Sequence, residues 1–106
     1  MYTLCIRYIL DPNRARDFRV YVEAEQPVIE RSGGRIVGYW IPTDYAGANN
    51  IGYGFIDFLD LAGYERYRKV LGDDPEHKRN AQALNESSVI VSMERSLLDR
   101  VPVGKP

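Results

Sequence analysis

The chain has 106 residues, 44% apolar and 27% charged, which sets it within the size of one compact domain and outside the composition of disordered chains. Fourteen Lys and Arg against fifteen Asp and Glu leave a formal charge of -1, so there is no basic excess to hold a phosphate backbone and no nucleic-acid partner is expected. No apolar run approaches the ~20 residues that cross a bilayer, the start lacks a signal-type apolar stretch, and the single cysteine, Cys5, excludes an intrachain disulfide; a cytoplasmic protein without a membrane span is the expectation.

Residues 2–10 alternate, with Tyr2, Leu4, Ile6 and Tyr8 on one face and Thr3, Cys5, Arg7 and Ile9 on the other, which predicts a first strand. Asp11 and Pro12 then make a cap and a first helical position. Phe18, Tyr21, Val22, Glu25, Val28 and Ile29 recur at helical spacing after them, and Ser32-Gly33-Gly34 ends the helix by about Arg31. Pro27 lacks a backbone donor, so a kink or break is expected near Gln26. Residues 35–41, rich in branched and aromatic side chains, form a second strand that stops at Pro42, and residues 42–50 form a long polar loop, a candidate lid.

A third strand spans 51–58, with Ile51, Tyr53, Phe55 and Asp57 opposite Gly52, Gly54, Ile56 and Phe58. The two bare glycine positions call for a close neighbour, expected to be a helix. Asp60 caps a second helix carrying Leu61, Tyr64, Tyr67 or Arg68, and Leu71, and Asp74-Pro75 starts a third, short one with His77, Ala81 and Leu84 on one face. Residues 87–97 alternate again as a fourth strand, Val89, Val91 and Met93 opposite Ser88, Ile90, Ser92 and Glu94. The division expected is a single domain over 1–97 and a C-terminal arm over 98–106, where two prolines and a glycine preclude a fifth strand.

This order, strand-helix-strand-strand-helix-helix-strand, predicts an α+β fold: a ferredoxin-like split β-α-β antiparallel sheet with helices on one face. The other face, bearing Trp40, Tyr53, Phe55 and Ile90, is an apolar patch of a size that monomers rarely expose, so a homodimer is expected.

From Glu30 through Ser32-Gly33-Gly34 to Gly38-Tyr39-Trp40 the sequence resembles the NIPSNAP family, whose members pass from a helix end through a Gly-Gly turn into a G-Y-W strand. Residues 8–12, Asn49-Asn50-Ile51 and Asp73-Asp74-Pro75-Glu76 extend the similarity over most of the first 90 residues. The resemblance implies a ferredoxin-like fold that dimerises into an α/β barrel. The family commonly has Arg in the first strand and His-x-Trp in the third, where ungapped alignment places Ile6, Tyr53 and Phe55, with Arg7 one position away.

No P-loop, dinucleotide fingerprint, nucleophile elbow or metal-spaced histidine pair occurs, and neither metal nor cofactor is expected. The candidate site combines strand residues that would face a barrel interior. Arg7 would hold a carboxylate through paired donors, Tyr53 would donate to a carbonyl or enolate oxygen, and Glu94 or Asp57 would accept a proton. Trp40, Phe55 and Ser92 would complete a small-molecule pocket, Tyr39 its rim, and His77 a base near neutral pH. Competing with these roles are a plain Arg7–Glu94 ion pair, aromatic packing, and a structural His77. The functional expectation is a small homodimeric barrel that binds or converts an aromatic or carbonyl compound, by cofactor-free oxygenation or isomerisation. The alternative is a non-catalytic interaction module.

Overall fold

A computed structural model describes residues 1–104. Strand β1 (Tyr2–Leu10) leads through a 3-10 turn at Pro12–Arg14 into α1 (Ala15–Arg31) and then β2 (Arg35–Trp40). After the long loop come β3 (Ile51–Phe58), α2 (Leu61–Asp73), α3 (Pro75–Ser87) and β4 (Ile90–Asp99). The four strands form one antiparallel sheet in the order β2-β3-β1-β4, with the first strand central, as a split β-α-β topology requires. All three helices lie on one face, and the molecule is a slab measuring 40 × 38 × 19 Å.

The three aspartates the sequence singles out all cap, Asp60 and Asp74 their helices but Asp11 only the 3-10 turn that leads into α1, which itself starts without a side-chain cap. Asp11 accepts from the Asn13 amide, Asp60 from Gly63, and Asp74 from both Glu76 and His77. The buried stripe of α1, Phe18, Val22, Glu25, Val28 and Ile29, packs on the Leu4, Ile6, Tyr8 and Leu10 face of β1. That shared interior leaves Phe18, Val28 and Ile56 without measurable exposure.

Five details differ from the sequence expectation. The helix does not break at Pro27: Pro27 and Glu23 both lie on the solvent side, so water can satisfy the carbonyl that proline leaves unpaired while Val28 and Ile29 hold the last turn to the core. Helix α3 is not short; at 13 residues it equals α2, and Ser88, in the left-handed region at φ 60°, closes it and delays β4 to Ile90. Strand β4 runs to Asp99, two residues into the expected arm. There Arg100 hydrogen-bonds the Met1 carbonyl and the Asp57 carboxylate; Lys105 and Pro106 of that arm lie outside the described residues.

The fourth difference is a β-bulge at Val91 in β4, which puts Ile90 opposite Leu10 on the helix side, against the core, instead of on the open face with Ser92. The fifth concerns the glycines. A helix side chain, Phe18, does cover Gly52, but the neighbour over Gly54 is the Tyr39 ring of the adjacent strand, 2.5 Å from where a Cβ would sit.

Candidate functional site

Glu25 stands in the middle of an apolar helix stripe and is 1% exposed. A carboxylate in that position requires donors, because an unpaired buried charge costs several kcal/mol. The fold supplies three. Tyr21, one turn earlier on α1, donates its hydroxyl to Oε2 at 3.2 Å; Asn80 of α3 donates Nδ2 to Oε1 at 3.2 Å; and His77 of α3 places Nδ1 2.5 Å from Oε2. An ionised carboxylate only accepts, so the proton of this contact sits on Nδ1 and the other ring nitrogen, Nε2, is left as the basic one in neutral His77. The start of α3 is fixed from two directions: Asp74 caps it, and Arg31 at the end of α1 grips both Asp74 and Glu76.

This cluster lines a cavity of about 190 Å³ between the sheet and helices α1, α2 and α3. Its floor is Ile6, Tyr8 and Tyr39 from the strands, its walls Tyr21, Ile29, Tyr67, Leu71 and Leu84 from the helices, and its rim the exposed Asn85, Met93 and Arg95. Burial pushes the Tyr8 phenol up to about 12, and it also raises Tyr21, Tyr39 and Tyr67, so these hydroxyls stay protonated and serve as neutral donors. The mixture of apolar walls, four phenols and one carboxylate–imidazole pair is that of a small-ligand site.

Two of the sequence-selected residues, His77 and Tyr39, meet in this cavity. Tyr39 reaches it because a second bulge, at Val37, turns its side chain onto the helix face over Gly54. The other seven lie on the opposite, open face of the sheet. Arg7 and Glu94 approach to 4.0 Å with the Glu94 side chain largely and the Arg7 side chain partly solvated, an arrangement worth little energetically. Trp40, Phe55 and Tyr53 form an aromatic row, Trp40 edge-on to Phe55 and Tyr53 stacked beside it. Ser92 pairs with Ile9 at the edge of that face. Asp57 is buried and already occupied, accepting from the Thr3 hydroxyl at 2.7 Å and from Arg100 at 2.9 Å.

Sequence reasoning did not single out Glu25, Tyr21, Asn80, Tyr8, Tyr67 or Arg95 as site residues. Two of them carried a signal. Glu25 interrupts an otherwise apolar helical face, and Arg95 falls on the same strand parity as Met93 and Leu97, which face the core.

Two larger depressions exist. One, about 370 Å³ beside the N-terminus of α2, has its acidic groups Asp57 and Asp60 committed to Thr3, Arg100 and the helix cap. The other, about 330 Å³, is an open groove between the long loop and the Trp40–Tyr53 side of the sheet. Among the described residues no cluster of three His, Cys, Asp or Glu side chains is arranged to hold a metal, and no helix is long and apolar enough to cross a membrane.

A family model described as NIPSNAP matches residues 2–105. No curated protein matches the chain. Among solved structures, an uncharacterised NIPSNAP-like domain protein from Burkholderia xenovorans is 28% identical, with a TM-score of 0.79 over 99% of this chain and 89% of that one. A second NIPSNAP domain protein from the same organism is 16% identical, superposing with a TM-score of 0.82 over the whole of both chains. A putative antibiotic biosynthesis monooxygenase from Nitrosomonas europaea shares the fold at 6% identity, with a TM-score of 0.73 over 96% of this chain and 100% of that one.

Proposed function

The chain belongs to the NIPSNAP family, and from that premise we propose that it is a homodimer, paired sheet face to sheet face, whose helix-side cavity binds and enolises a small ring-shaped carbonyl compound. The observation that carries the reading is the fully buried Glu25 holding Nδ1 of His77 beside a phenol-lined cavity. A carboxylate that fixes one imidazole nitrogen orients the ring and stabilises the imidazolium formed when the other nitrogen takes a proton. In the step proposed, Nε2 of His77 removes a proton from the carbon next to the carbonyl. The C–H electron pair becomes the new C=C bond and the carbonyl π pair moves to oxygen, where a neutral tyrosine hydroxyl donates to it. Return of the proton to a different carbon makes an isomer, and the dyad supplies both acceptor and donor. Addition of dioxygen to the same enolate would make an oxygenase, the activity that the printed name of the Nitrosomonas protein suggests for that neighbour.

The volume supports a single ring. A cavity of about 150 Å³ suffices for benzene, and this one is about 190 Å³. The dimer is supported by the open face, where Trp40 is 51% and Leu98 47% exposed. The surface area agrees: 7094 Å² is accessible, against about 6,000 Å² for a monomer of this mass. The excess is comparable to the roughly 800 Å² that each partner buries in a stable interface.

The test is deuterium uptake at the ring carbons beside the carbonyl of cyclohexanone in D2O, followed by proton NMR. The protein should accelerate exchange, His77→Ala should return the rate to that of buffer, and Glu25→Gln should reduce it about 10²-fold. Exchange no faster than in buffer, or unchanged by His77→Ala, would remove the enolisation reading and favour an interaction module.

A further inference from the structure

The two charged groups of the cavity are unlike in one respect. Glu25 has both oxygens engaged by hydrogen-bond donors, by Asn80 on one and by His77 and Tyr21 on the other, so it has little acceptor capacity left for a ligand. Arg95 has no carboxylate partner among the described residues, whereas Arg14 and Arg100 each have one and Arg31 has two. It is also on the wrong face for a purely solvated cation. Its register partner on β1 is Ile6, its neighbours along β4 on that face are Met93 and Leu97, and it lines the cavity at the exposed rim. Its positive charge is felt inside, where it opposes the effect of burial on the Tyr8 and Tyr67 phenols.

We propose that the cavity takes a monocyclic carboxylic acid as its anion, the ring lying among Tyr8, Tyr39 and Tyr67 and the carboxylate held at the mouth by Arg95. This rests on the cavity being a ligand site, as proposed above, and adds the charge and orientation of the ligand. A guanidinium presents parallel donors that match a carboxylate bidentately, and at a rim it does so with its stem packed on the apolar wall. The anion then gives the Arg95 guanidinium the carboxylate partner it lacks among the described residues, while the ring end is carried toward His77 and Glu25. Among neutral and cationic molecules of equal size none gains that interaction.

The probes are benzoate and its neutral counterpart benzyl alcohol, titrated by NMR into the intact protein, with Arg95→Met, which keeps the apolar stem and removes the charge, and Arg95→Gln as a second variant. Benzoate should bind about tenfold more tightly than benzyl alcohol, and the preference should vanish in both variants with benzyl alcohol affinity unchanged. Raising the salt concentration should erode the preference in the same direction. If benzyl alcohol shifts the cavity signals of Tyr39 and His77 but benzoate has no advantage, or keeps its advantage in both variants, the assignment to Arg95 fails and the cavity stands. If neither probe moves those signals, the ligand cavity itself fails, and the assignment with it.

Discussion

The two faces of this sheet are written by the same alternating strands and yet carry opposite physical solutions. On the helix side, Leu4, Ile6, Tyr8 and Leu10 are sealed under α1, and among the described residues no fully buried side-chain nitrogen or oxygen lacks a partner: Glu25 has three donors, and Ser32 donates to the Val28 carbonyl. On the open side the aromatic row Trp40–Phe55–Tyr53 stands beside a solvated Arg7–Glu94 pair, stable alone only at the expense of exposed apolar area. The lesson is that apolar content does not tell the faces apart. What differs is whether the chain itself provides the cover.

Substitution should therefore act on different observables on the two faces. Phe18→Ala, which empties the centre of the covered face, should destabilise by about 3–5 kcal/mol in chemical denaturation. Trp40→Glu, on the open face, should leave the unfolding free energy of the monomer within about 0.5 kcal/mol and convert dimer to monomer in sedimentation equilibrium. A monomeric wild type, or a dimer untouched by Trp40→Glu, would break the comparison.

A smaller effect sharpens it from within the sheet. A Cβ at Gly54 would meet the Tyr39 ring at 2.5 Å, so Gly54→Ala should cost about 1–3 kcal/mol and displace the Tyr39 ring from the cavity, seen as loss of probe binding. A Cβ at Gly38, on the other face, would meet the Trp40 ring at 2.6 Å.

The smallest expected effect is electrostatic. Burial raises Tyr8 to about 12 and also raises Tyr21, Tyr39 and Tyr67. A folded pKa above the unfolded value of about 10 means the associated stability is complete below pH 10 and is lost as pH rises toward 12. Absorbance at 295 nm should accordingly show these phenols ionising in step with alkaline unfolding. A smooth titration of all eight tyrosines around pH 10, with the fold intact, would contradict their burial.

The strands, most of their faces and the three capping aspartates can be read directly from residues, because alternation, helical period and cap chemistry are local; the faces of Tyr39 and Ile90 cannot. The site is less legible. His77 and Tyr39 attract notice as isolated residue types, but the open-face set from Arg7 to Glu94 attracts it equally, and alternation alone does not say which face the helices take.

Sequence by itself determined the element order, the α+β class and the odd placement of Glu25 inside an apolar stripe, since each follows from neighbours a few residues apart. Tertiary structure decided the rest. His77 and Asn80 reach Glu25 from 52 and 55 residues away, a pairing set by how α3 packs on α1. The bulges at Val37 and Val91 arise from inter-strand registry, and they turn Tyr39 and Ile90 to the helix side. A one-residue change of register reverses a side chain, and only the paired neighbouring strand fixes that register.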